Sequence, residues 1–180
     1  PSQIFEHWAT EPEVLKRYAR HYETGQVISD ALIEKIRASS TFNQGFQTSE
    51  YLAAAYLDLA WHEQAPDAAA GVKALEAAEM DRIGLPLTIA PRYKSTYFQH
   101  IFAGDHYSAG YYAYIWAEVL DADGFEAFKE QGLFDPATAQ SFRQNILERG
   151  GSAEPMSLYR AFRGRDPAVD ALLVNRGLAG

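Results

Sequence analysis

An all-α fold is predicted by three features of the 180-residue chain. Apolar residues recur at helical spacing almost throughout. No segment alternates apolar and polar residues with the β-branched enrichment of a strand. Helix start and stop signals punctuate the chain at short intervals. A chain that is 47% hydrophobic and 13% aromatic can bury a sizeable core, and one compact helical domain over residues 1–180 is the simplest organisation.

The elements follow in order. Pro12 stands at the start of a helix in EPEVLKRYARH, where its missing N–H leaves no bond unmade, and Gly25 ends that region. Ser29 or Asp30 caps a helix through ALIEKIRAS with Leu32, Ile33 and Ile36 as its buried stripe. A longer helix from about Phe42 to His62 is expected to gather Tyr51, Leu52, Ala55, Tyr56 and Leu59 on one face. Pro66 and Asp67 break the chain and cap AAAGVKALEAAEMDRIG, whose alanines permit close packing. GLPLTIAPRY, with two prolines, is irregular. A helix from about Tyr107 would place Tyr107, Tyr111 and Tyr114 at i, i+4 and i+7, with their phenols on one face, while Tyr112, Ile115 and Trp116 turn elsewhere. Asp135-Pro136 supplies an N-cap and first helical position, and Gly150-Gly151 ends that helix. MSLYRAFRG and DPAVDALLVNRG each finish on Arg and Gly, as helix C-termini do.

Composition removes several functions. With 24 acidic and 16 basic side chains the formal charge is −8, and no Lys/Arg block could release counterions from a phosphate backbone, so nucleic acid is not an expected partner. There is no cysteine, hence no disulfide, thiolate nucleophile or cysteine-based zinc site. No apolar run nears the ~18 residues of a membrane span. The chain opens on Pro1 without an initiating Met, as expected of a piece of a longer polypeptide.

Metal binding would fall to His and carboxylates. His62-Glu63 begins like the His-Glu-x-x-His zinc helix, but the position of the second histidine is Pro66, so His62 reads as a surface residue. His7 and His21 read as hydrogen-bonded structural residues. No Gly-x-Ser-x-Gly elbow and no phosphate loop ending in Gly-Lys occurs. The chemically dense stretch is HIFAGDHYSAGYYAYIWAEV, residues 100–119. An aromatic core stripe is its plain reading. Against that, Gly104 and Gly110 leave room for another backbone, and three phenols beside His100 or His106 are expensive to bury without partners. A wet cleft wall offering neutral donors to an oxyanion fits better, at ~2.7–4 kcal/mol per donor.

The string STYFQHIFAGDHYSAGYYAYIWAEVLDAD, with PSQIFEHWATEPEVLKRYARHYETG before it and AFRGRDPAVDALLVNRGL after it, resembles the C-terminal part of the M3 family of zinc metallopeptidases. That family includes the peptidyl-dipeptidases, oligopeptidase A and thimet oligopeptidase, and the similarity runs from Pro1 to about Leu178. The resemblance implies the C-terminal part of an all-helical catalytic domain flanking a deep channel, with oligopeptides as substrates and the upstream part of the same peptidase as partner. Zinc is implied for the full-length enzyme. Its ligands and general base would lie upstream of Pro1, so this chain is expected neither to hold catalytic zinc nor to cleave peptides. Position by position, the catalytic residues implied are His100, Tyr107, Tyr111 and Tyr114, with His106, Gly104 and Tyr112 touching substrate. The loop is one residue longer than in some relatives, so His106 competes with His100 for the histidine's role. Glu6 either orients a metal-binding histidine or is a plain surface carboxylate. The implied activity is release of dipeptides from peptide C-termini. The alternatives are an endopeptidase of the oligopeptidase A kind and a non-catalytic helical peptide-binding module. A cytoplasmic location is expected, or a periplasmic one given a signal peptide upstream, and an isolated piece of such an enzyme is expected to self-associate.

Overall fold

The computed structural model describes residues 2–63 and 71–179; the expected break and cap at Pro66-Asp67 lie outside the described residues. Among the described residues the fold is all-α, without a strand, and the extended pairing is an isolated bridge between Arg20 and Val27. The helices are α1 (Glu6–Thr10), α2 (Pro12–Tyr18), α3 (Asp30–Ser40), α4 (Gln44–Glu63), α5 (Val72–Arg82), α6 (Gln99–Phe102), α7 (Ala113–Gln131), α8 (Pro136–Phe142), α9 (Pro155–Arg163) and α10 (Asp170–Asn175). The chain divides into two compact units, residues 1–42 with 116–180, and residues 43–115.

In the first unit the core is aromatic. Ile4, Phe125, Phe128 and Phe142 are buried together. Trp8 meets Phe125 and Phe128 edge-on at 4.6 and 4.7 Å, the arrangement ring quadrupoles favour. Its indole N–H donates to the Leu133 carbonyl at 3.0 Å. The predicted caps are present: Ser29 Oγ accepts the Leu32 N–H, and Asp135 accepts that of Thr138 ahead of Pro136 at the first position of α8. α9 ends on Gly164 at φ +80°, where a left-handed residue closes the helix. Three expectations fail in detail. α2 stops at Tyr18, not near Gly25, because residues 20–27 fold back into the bridge instead. On α3 Ile33 is buried, while Leu32 is exposed. The last helix begins at Asp170, so DPAV remains outside it.

The second unit is built on α4. Tyr51, Ala54 and Ala55 of α4 pack with Phe98, Ile101 and Tyr111. Its buried face differs from the expected one, since Tyr56 is exposed and Asp58 is wholly buried. Residues 83–94 carry no regular helix, as the prolines require, and Leu87 points fully into solvent. The segment after them is tied down in two steps. Trp61 Nε1–H donates to Ser95 Oγ at 2.8 Å, and the Ser95 N–H donates to Glu76 at 2.6 Å.

Candidate active site loop

The sequence-predicted helix from Tyr107 does not form. Asp105–Tyr107 is a single 3-10 turn, residues 108–112 are turns, and α7 starts only at Ala113. The reason lies on α4. The Asp58 carboxylate accepts the Ala109 N–H at 3.0 Å on Oδ1 and the Tyr111 N–H at 2.8 Å on Oδ2. One helical register up, two turns away and therefore on the same face, the Tyr51 hydroxyl donates to the Tyr111 carbonyl at 2.5 Å and accepts the Ile115 N–H at 3.2 Å. These side chains take the backbone groups a helix would have paired internally. Ala109 is bent to φ +54°, a conformation that L-residues adopt reluctantly.

The consequence is that the three tyrosines do not share a helix face. Tyr111 is 7% exposed, with its ring stacked 5.3 Å from that of Tyr51. Burial pushes its phenol above the ordinary value, against the pull of the Arg92 guanidinium bonded to it. Tyr107 and Tyr114, 43% and 47% exposed, stand instead around His100. The His100 Nε2 to Tyr114 hydroxyl distance is 3.0 Å, and the His100 ring lies 4.8 Å from that of Tyr107 and 5.8 Å from that of Tyr111. His106 packs beside Tyr107 at 5.2 Å, and its ring lies 3.4 Å from where a side chain at Gly104 would begin. That is ordinary contact distance, so the imidazole's position does not require a glycine at 104. Gly110 is closed upon more tightly, since a Cβ there would meet the Tyr107 carbonyl oxygen at 3.3 Å. Tyr112 is exposed. Glu6, in the other unit, is exposed in the first turn of α1, and the histidine next to it bonds Asp121 at 2.8 Å.

His62 is not a plain surface residue: it is partly covered, and its Nδ1 lies 2.8 Å from both the Asp58 carbonyl and Asp58 Oδ1. Asp58 and Arg92 are not singled out by the sequence pattern, and Tyr51 is read from it only as part of α4's buried face, where it lies. A lone acid within the apolar run AAAYLDLAW was the available sign of the first of them.

Among the described residues no group of three or more His, Asp or Glu side chains is placed to hold a metal ion. The histidines have other company: His7 on Asp121, His21 Nδ1 accepting the Glu23 and Thr24 amides, His62 on Asp58, and His100 and His106 among phenols. No helix among the described residues is long and apolar enough to cross a membrane.

A loop of phenols and imidazoles is thus clasped by α4 within an all-α fold. The model of peptidase family M3 matches residues 1–178, and the chain belongs to that family. It is 46% identical to a dipeptidyl carboxypeptidase and 43% identical to an oligopeptidase A, both from Escherichia coli, over 99% and 100% of this chain. A probable cytosolic oligopeptidase A of Arabidopsis thaliana is 37% identical over 99% of it. The chain spans about a quarter of the length of these relatives, 26% of each.

Proposed function

We propose that this chain is the C-terminal, substrate-binding part of the catalytic domain of a zinc-dependent peptidyl-dipeptidase, which releases dipeptides from the C-termini of oligopeptides in the cytoplasm. The observation that carries the reading is the His100–Tyr114 pair, 3.0 Å apart, beside the exposed Tyr107 phenol. With His100 Nε2 protonated, the imidazole donates to the Tyr114 oxygen and leaves the phenol's own proton free to point outward. A hydroxyl that already accepts one bond donates a stronger one. Placed against a peptide carbonyl, the Tyr114 and Tyr107 hydroxyls would gain strength as that oxygen becomes an oxyanion, which favours the transition state over the bound substrate. Tyr111, buried and bonded to Arg92, would serve as the pillar between them. His106, Gly104 and Tyr112 are assigned to the peptide backbone beside these donors. The proposal gives zinc, its ligands and the general base to the part of the enzyme outside this chain, and the chain alone no hydrolysis.

In the full-length protein, Tyr114→Phe is expected to lower kcat by about 10²-fold with KM within about twofold, because the lost donor acts mainly in the transition state. Steady-state kinetics check this, and an unchanged kcat would remove Tyr114 from the reaction. A second reading, an endopeptidase, is favoured by the similarity to oligopeptidase A over the whole chain. Product analysis on a short peptide separates the two. Sequential dipeptides from the C-terminus support the peptidyl-dipeptidase, internal fragments support the endopeptidase, and no hydrolysis leaves a binding module.

A further inference from the structure

We infer that Asp58 is a positioning residue for the reaction, one whose carboxylate holds the loop 108–112 out of helix so that Tyr107 and Tyr114 gather around His100. The inference rests on reading that cluster as the peptide site.

Asp58 is 0% exposed in the middle of an apolar face, where any aliphatic residue would pack as well and a carboxylate is expensive unless fully answered. It is answered by the Ala109 and Tyr111 amides at 3.0 and 2.8 Å; His62 Nδ1 lies 2.8 Å from it and 3.2 Å from the same Ala109 N–H, so Tyr111 is the amide held by Asp58 alone. No Lys or Arg takes part in these contacts. Its bonding thus goes largely to one loop, 51 and 53 residues along the chain. Without it, the Tyr111 N–H would find its helical partner at the Tyr107 carbonyl, four residues back, and α7 would extend toward Tyr107. That extension fits the i, i+4, i+7 spacing of the three tyrosines, although Gly110 would stand inside it. It would bring all three phenols onto one face and pull Tyr111 away from its stacking on Tyr51. The reluctant φ of +54° at Ala109 supports the same conclusion, since such a bend persists only where surrounding contacts over-determine it.

The experiment is amide hydrogen exchange together with kinetics on the full-length protein. In the unaltered protein, the Ala109 and Tyr111 amides are expected to exchange as slowly as those in the middle of α4, although they lie in a turn. Exchange at ordinary loop rates would overturn the inference, and this measurement needs no variant. In Asp58→Asn, which replaces one acceptor oxygen by a donor facing an N–H, those amides are expected to exchange at least roughly tenfold faster while α4 keeps its protection. kcat is expected to fall about tenfold with KM little changed. Faster exchange with unaltered kcat, or unaltered exchange, would each overturn the positioning role. Exchange is read without substrate, so its failure is distinct from failure of the peptide-site reading, which Tyr114→Phe tests.

Discussion

Among the described residues two aspartates are almost fully buried, and they are satisfied in opposite ways. Asp58 is met mainly by backbone amides, whereas Asp123, 2% exposed, is met by side chains. Arg165 Nη2 reaches its Oδ1 and the Tyr159 hydroxyl its Oδ2, each at 2.5 Å, and Arg163 Nε–H donates to its carbonyl at 3.1 Å. Arg163 turns its other nitrogens to Glu130 in a two-pronged pair, which holds that carboxyl below the usual range. Burial, then the neighbouring Asp123, pushes the Tyr159 phenol well above its ordinary range, so it remains a donor at any working pH. Tyr159→Phe keeps the ring in place and removes the proton, leaving a buried oxygen short of a partner. Denaturant unfolding is expected to report a loss of about 1–3 kcal/mol. A loss near zero would mean that Arg165 and Arg163 satisfy Asp123 by themselves.

At the level of the helices, what the sequence made legible were the ends set by local chemistry. Ser29, Asp135-Pro136 and Gly164 are where short-range rules place them, because a cap depends on its own side chain and the next three residues. The start of α7 was not legible, because it is decided by Tyr51 and Asp58 on another helix. Leu32 and Tyr56 misled for a related reason: each fits a helical stripe, but a stripe leaves open which of its edges a neighbour covers. One cap yields a pH prediction. Asp135 Oδ2 accepts the Thr138 N–H at 2.7 Å and its hydroxyl at 2.8 Å, which lowers the carboxyl from its usual 3.8. A depressed folded-state pKa adds stability that is complete above 3.8 and is lost as pH falls through the lower folded value. Asp135→Ala should therefore lower the melting temperature at pH 7, and the gap from the unaltered protein should narrow once pH drops below about 4. A gap that stays constant down to pH 2 would assign the effect to helix geometry and not to charge.

For the chain as a whole, the family was legible from an unbroken string of residues, while the tyrosines' surroundings were not. A phenol's neighbours are set by packing across elements, and periodicity carries no record of them. Each unit has its own aromatic centre. The first also keeps an apolar cavity of about 290 Å³ edged by Ile4, Trp116, Leu120, Met156 and Phe162. Tyr22, Tyr97 and Leu87 are largely uncovered elsewhere. Light scattering on the 180-residue chain by itself is expected to give species heavier than its 20.1 kDa. A clean monomer at high concentration would show that this surface tolerates water. The bend at Ala109 carries a lesson for engineering: instructions for the loop's shape are written half a hundred positions earlier, on a helix that touches no substrate in this scheme. Libraries meant to reshape this loop would therefore do well to randomise the rear wall of α4 along with the loop itself.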